Sequence, residues 1–245
     1  MTLMFAENIP FHYNTPNRNK ILYWNGSDTR ESWITHSNNA DNLKFYEKNN
    51  WLNEFAIEYR FNSYGFRCEE FDDRASYMAL GCSFTQGIGL AVEDVWVSHL
   101  NNLIGTNVWN LGVGSLSLDG CFRLLDYYLN KLNIIGIFLL QPPKHRFEIF
   151  EGTIVQSFMP TDSTNNLYSK LWLSNTNNSK INVRKNLLAM TKLCNDKAIN
   201  LYVRDSDDLY QGPDCKKARD LMHPGKKNHL ILAENFYNDW KNGNS

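Results

Sequence analysis

The chain of 245 residues has almost no net charge: 25 Lys and Arg stand against 26 Asp and Glu. That balance removes any bulk electrostatic drive toward nucleic acid or an anionic lipid surface. No apolar run approaches the roughly 20 residues needed to cross a bilayer, so no membrane-spanning helix is expected. The start, Met1 to Asn14, has neither a basic n-region nor a long apolar h-region, and no signal peptide is read there. The cysteines are five, an odd number, widely spread and without a C-x-x-C pair. A disulfide framework and a zinc ribbon are therefore unsupported, and a reducing cytoplasm with free thiols is the expected setting. No His, Cys or Asp set has metal-ligand spacing, and no phosphate loop of the G-x-x-x-x-G-K type exists. Gly87-Ile88-Gly89 is too short for a dinucleotide site. No metal and no cofactor are expected.

What is present is material for a folded core: 42% hydrophobic residues beside 21% charged ones. Residues 1–75 are rich in Asn, Tyr, Phe and Trp and lack long helical periodicity. They read as an irregular or β-containing N-terminal extension, with a turn at Trp24-Asn25-Gly26-Ser27 and a half-exposed strand over Phe55–Phe61. From residue 76 the pattern becomes strand, turn, helix, repeated. Short apolar runs at Tyr77–Leu80, Val108–Leu111, Ile134–Leu140 and Asn200–Val203 predict strands. Helices are predicted from Trp96, over Leu118–Leu132, over Ile181–Ile199 and over Lys226–Trp240. Residues 148–180 read as a long polar insertion. Alternating strands and helices predict an α/β domain over residues 76–245, with three α/β/α layers and a mostly parallel sheet. Ligands of such sheets bind at the carboxyl ends of the strands. That rim gathers Gly81-Cys82-Ser83, Gly112 to Ser115 and Gln141-Pro142.

Two segments carry candidate chemistry. A serine in a tight turn after a buried strand, such as Ser83, presents its hydroxyl at the rim, and its own N–H can face the same pocket. Asp220-Leu221-Met222-His223-Pro224 precedes the closing helix. An aspartate three residues before a histidine can accept from one imidazole nitrogen and leave the other free to take a serine proton. Pro224 biases His223 toward an extended conformation and can start the helix. Cys82 adjoins Ser83 and is an alternative nucleophile, since a thiolate is intrinsically the better one. His145, Arg146 and Glu148 follow the third strand, where they can line a pocket or form a structural ion pair. His12, His36 and His99 have no motif context, and His229 is expected on a solvated helix face.

Taken together, these segments resemble the SGNH (GDSL-like) hydrolase family. Gly81-Cys82-Ser83-Phe84-Thr85 is similar to its G-D-S nucleophile block, with Cys82 in place of the usual Asp. Asn110-Leu111-Gly112-Val113-Gly114-Ser115 is similar to its second block, with Ser115 where the family has glycine and Gly114 one residue earlier. Asp220-Leu221-Met222-His223-Pro224 is similar to its D-x-x-H-P block. The resemblance covers roughly residues 76–241 and implies a flavodoxin-like domain. The third block, G-x-N-D, is missing, and Gln141 is the nearest amide that could replace its asparagine.

The resemblance implies a carboxylic ester hydrolase in which Ser83 attacks, His223 moves the proton and Asp220 orients His223. Backbone N–H groups of Ser83 and of Ser115 or Gly114, with the Gln141 amide, would hold the oxyanion. His145 and Arg146 are candidate substrate contacts. A short-chain acyl ester is expected, with an O-acetyl glycan or another small-molecule ester as partner. An acyltransferase using the same triad is an alternative. So is a non-catalytic glycan-binding or structural module that lost its oxyanion hole.

Overall fold

The computed structural model describes residues 17–151, 154–159, 167–210 and 217–243. The elements follow in chain order: β1 (Ile21–Leu22), α1 (Arg30–Ser37), α2 (Ala40–Lys48), β2 (Tyr59–Arg60), β3 (Ser76–Leu80), α3 (Ser83–Gln86), α4 (Trp96–Ile104), β4 (Val108–Asn110), α5 (Leu118–Tyr128) and β5 (Ile134–Gln141). They continue with β6 (Phe147–Glu151), β7 (Ile154–Phe158), α6 (Leu167–Leu173), α7 (Asn177–Asp196), β8 (Asn200–Asp205) and α8 (Lys226–Gly243).

The central sheet has the order β4-β3-β5-β8, and every pairing in it is parallel. Leu80 pairs with Leu139 and Leu140 with Arg204, so the strands end at one rim. Strands buried on both faces read as continuous apolar runs, because neither face needs polar residues. That is why β3 is buried at all its positions, and β5 from Gly136 onward. The edge strand β8 is only partly covered. Helices α4 and α8 pack together, as do α5 and α7. A right-handed crossover from β3 to β4 runs one way and that from β4 to β5 the other, which puts α4 and α5 on opposite faces. The result is a three-layer α/β/α architecture. The strand order reverses between β3 and β5, the switch point where such sheets open a crevice.

Two expectations need correction. The N-terminal extension is more helical than β: α1 and α2 lie where an irregular segment was read, and only Tyr59–Arg60 of Phe55–Phe61 pairs as a strand. Its first 16 residues lie outside the described ones. The helices escaped periodicity because α1 buries none of its residues and α2 buries only Tyr46. Their caps are local instead: Thr29 accepts from Ser32 N–H, and Asn39 accepts from Asp41 and Asn42 N–H. Likewise, residues 148–180 are not an unstructured polar insertion. They hold most of the β6–β7 antiparallel hairpin, with Phe147 paired to Phe158, then α6 and the first turn of α7.

The extension shares the core of the sheet. Tyr46, Trp51, Ile57, Tyr59, Phe61 and Phe66 are buried in the same apolar cluster as β3 and β5. Phe66 and Phe71 meet Tyr128 of α5 edge to face, with ring centroids 5.4 and 5.6 Å apart.

Candidate active site

The rim at the end of β3 is shaped by two close approaches. A Cβ on Gly81 would come within 2.1 Å of Thr85 Oγ1 and 2.9 Å of the Leu140 carbonyl oxygen. A Cβ on Gly112 would come within 2.3 Å of Gln86 N. Bare backbone at both positions lets β3 turn sharply into α3 and lets the β4 loop close over it. Asn110 then clamps the two loops. Its amide donates to the Thr85 carbonyl at 2.8 Å, and its Oδ1 accepts the Gly112 N–H at 2.9 Å. In the turn so formed, Cys82 and Ser83 point apart. Cys82 is fully buried in the core, whereas Ser83 is partly exposed and lines a cavity of about 550 Å³. The alternative of a Cys82 nucleophile fails for that reason: its sulfur has no access to the cavity.

His223 and Asp220 reach the same cavity from the segment before α8. Ser83 Oγ lies 2.9 Å from His223 Nε2, and His223 Nδ1 lies 2.6 Å from Asp220 Oδ2. A carboxylate can only accept, so the Nδ1 hydrogen belongs to this bond and Nε2 is left to accept from the serine. Asp220 Oδ1 accepts the backbone N–H groups of Met222 and His223, both at 3.0 Å. The bend that allows this carries Leu221 at φ +55°, a left-handed conformation for a non-glycine residue. Asp220 is 2% exposed. Burial acts to raise its pKa, but the hydrogen bond and charge of His223 and the hydrogen bond from Ser27 outweigh it. The carboxyl is held below its ordinary value. Phe84 closes on the imidazole edge to face, at 5.3 Å between centroids.

Ser27 had no signal in the sequence beyond its place in a turn. Its hydroxyl donates to Asp220 Oδ2 at 2.6 Å and lies 3.4 Å from His223 Nδ1. Asn25 and Asp28 exchange backbone hydrogen bonds at 2.9 and 3.1 Å around Gly26, at φ +60°, and this turn carries Ser27 into the site. Behind it lies a buried ion pair. Arg219 donates to both Asp28 oxygens, at 2.9 and 2.7 Å, and stands over the Trp24 ring at 4.1 Å. Arg67, also from the extension, donates to the carbonyls of Gln86, Gly87 and Leu90 just after the serine turn. Both halves of the constellation are therefore braced by residues 17–75.

The remaining candidates divide. Gly114 and Ser115 line the cavity. They form the centre of a turn closed by Leu116 N–H on the Val113 carbonyl, with Ser115 at φ +64°. Arg146 lines the cavity as well. His145 does not; burial first, then the neighbouring Arg146, lowers its pKa. Glu148 pairs with Arg123 at 2.8 Å rather than with Arg146. Gln141 corrects the reading of an oxyanion amide: its Nε2 faces Asp205 Oδ2 at 3.4 Å, and the residue does not line the cavity. The register of β5 with β8 explains this, since Gln141 pairs directly with Asp205. Gln86, which the sequence reading missed, does line the cavity, as do the amides of Asn17 and Asn25. His229 is another correction, being fully buried rather than solvated. Among the described residues no group of His, Cys, Asp and Glu could hold a metal ion, and no helix is long and apolar enough to cross a membrane.

No protein-family model matches the chain, and no curated protein matches it. Solved structures are similar to it in part. A member of the lipolytic protein G-D-S-L family from Veillonella parvula DSM 2008 aligns over 66% of this chain and 95% of its own, at 14% identity and a TM-score of 0.36. The psychrotrophic esterase EstA from Pseudoalteromonas sp., in a structure inhibited by monoethylphosphonate, aligns over 69% and 98%, at 14% identity and a TM-score of 0.39. AlinE4, an SGNH-hydrolase family esterase, aligns over 69% and 75%, at 13% identity and a TM-score of 0.36. Likeness at this level carries no argument about function. The layered architecture stands on the strand order itself, and the chemistry on the geometry around Ser83.

Proposed function

We propose that the chain is a serine esterase of the SGNH type, acting on short-chain acyl esters. One observation carries the reading: a continuous hydrogen-bonded line from Ser83 Oγ through His223 to Asp220, 2.9 and 2.6 Å, opening on a cavity. In the proposed reaction Ser83 Oγ bonds to the ester carbonyl carbon as its proton passes to His223 Nε2. Asp220 stabilises the imidazolium without taking the proton. The tetrahedral intermediate expels the alcohol, whose oxygen receives that proton. Water then gives a proton to His223 and attacks the acyl-serine, releasing the acid and restoring Ser83.

The backbone N–H groups of Ser83, Gly114 and Ser115 are the candidate oxyanion donors. The Gln86 amide stands closest to the role first read for Gln141. Phe84, Ile88, Val113 and Met222 give the cavity apolar walls that suit a short acyl group. Asn17, Asn25 and Tyr210 supply amides and a phenol of the kind that bind sugar hydroxyls, which supports an O-acetylated carbohydrate as substrate.

The test is hydrolysis of 4-nitrophenyl acetate together with labelling by a fluorophosphonate. Ser83-dependent turnover and labelling are expected, with Ser83→Ala losing about 10³-fold or more in kcat. The engagement of Gln141 with Asp205 favours one rival, a module that kept the fold without a complete oxyanion hole. Folded protein that neither labels nor turns over ester would decide for that rival.

A further inference from the structure

The cavity has a charge pattern that the triad does not use. Among its described lining residues there is no Asp, Glu or Lys; Arg146 is the one permanently charged side chain there. Among the described residues Arg146 forms no ion pair. Its one hydrogen bond to them is long, Nη1 to the Leu116 carbonyl at 3.4 Å, and its Nε is buried with no partner among them. A buried N–H of a charged group without an acceptor is costly, and native folds usually satisfy such groups. Asp207, whose charge acts on His145 and Tyr210, is exposed, and among the described residues it does not bond Arg146. Arg123 and Lys144 nearby are each paired, with Glu148 and Asp205. Among the described residues Arg146 is the one cation without an ion pair that lines the cavity shared by Ser83 and His223.

We infer that Arg146 is a specificity residue that selects acyl esters carrying an anionic oxygen group, a carboxylate or a phosphate, on the portion held beside the triad. The inference rests on reading this cavity as the ester site. A planar guanidinium matches the paired oxygens of either anion, whereas a neutral ester offers it no charge to pair with.

Binding to Ser83→Ala protein separates this inference from the catalytic reading, since no turnover is required. The probes are 4-acetoxybenzoate, 4-acetoxyphenyl phosphate and the neutral methyl 4-acetoxybenzoate, titrated by calorimetry. At least one anion is expected to bind tenfold or more tightly than the neutral ester, and which one does identifies the group. That preference should vanish in Ser83→Ala/Arg146→Gln and survive in part in Ser83→Ala/Arg146→Lys, with thermal melts confirming that each variant is folded. Equal binding of all three probes, no binding of any, or a preference that persists in the Gln variant overturns the inference. A failure of ester hydrolysis by the wild type overturns the catalytic proposal instead, whatever these affinities are.

Discussion

Ser27 donates a 2.6 Å hydrogen bond to Asp220 across a separation of 193 residues. The oxygen that receives it, Oδ2, is the one that also receives the His223 Nδ1 hydrogen. The hydroxyl therefore steadies the carboxylate that steadies the imidazole. Hydrogen bonds to charged groups contribute about 1.5–3 kcal/mol, so Ser27→Ala should loosen His223 without touching the nucleophile. A fall in kcat of about tenfold is expected, with KM little changed, and Ser27→Thr should restore most of it. The pH dependence has a definite sign. The folded Asp220 pKa lies below its unfolded value of about 3.9, so its stabilisation is complete above that value and fades as pH falls through the folded pKa. Removing Ser27 raises the folded pKa. The Tm deficit of Ser27→Ala should be widest near neutral pH and should close in acid.

Asp28 and Arg219 are 1% and 0% exposed and stand one residue away from Ser27 and Asp220 respectively. Asp28 also accepts from the Tyr59 hydroxyl at 2.5 Å, and the Arg219 carbonyl accepts from Tyr46 at 2.7 Å. Breaking such a pair leaves a buried charge without its partner, at a cost of about 3–5 kcal/mol. Asp28→Asn and Arg219→Met should each lower stability on that scale. The double variant should lose clearly less than the sum, because the second change removes the charge stranded by the first. Urea unfolding of the three variants measures this, and strict additivity would contradict the pairing.

The parts of this architecture that sequence reveals are those whose cause is local. β3 and β5 announce themselves because both faces are buried and the runs Tyr77–Leu80 and Gly136–Leu140 are apolar. Ser83, Asp220 and His223 stand in short motifs with recognisable turn chemistry. Ser27 and Arg67 were invisible for the opposite reason: they act on groups far along the chain, and nothing adjacent to them marks the contact. α1 was hidden because its stability comes from caps and neighbours, with no buried stripe to generate a period. Gln141 misled because an amide at a strand end has two directions to face, and its partner Asp205 lies on another strand.

Ser115 occupies φ +64° at the second central position of its turn, where glycine is the residue of choice. Left-handed backbone costs a non-glycine residue about 1–2 kcal/mol, while glycine loses up to about 1 kcal/mol through its freer unfolded chain. Ser115→Gly should therefore be neutral to stabilising by about 1 kcal/mol. It also keeps the backbone N–H proposed as an oxyanion donor, so esterase activity should be retained. Ser115→Val places a β-branched side chain in the same conformation and should lose stability and activity together. Melting curves and 4-nitrophenyl acetate turnover of both variants check the pair.

His229 accepts the Trp96 N–H through Nδ1 at 3.1 Å, wholly buried between α8 and the start of α4. Burial first, then the nearby His223 and His99, pushes its pKa down to about 3. The folded protein therefore keeps this ring neutral, while the unfolded chain takes up a proton below about pH 6.5. Stability contributed by the neutral ring is complete above that pH and drains away as pH falls toward 3. Asp220 cannot account for losses in the upper part of that window, since its folded pKa is held below the ordinary carboxylate value. His145, also lowered, acts in the same direction as His229. His229→Asn keeps an acceptor for Trp96 but cannot titrate. At pH 7.5 the variant should be the less stable protein, having lost ring atoms from the core. Between pH 7 and 5 the wild-type Tm should fall more steeply, so that the two curves converge. Parallel curves over that range would show that the acid sensitivity of the fold lies elsewhere.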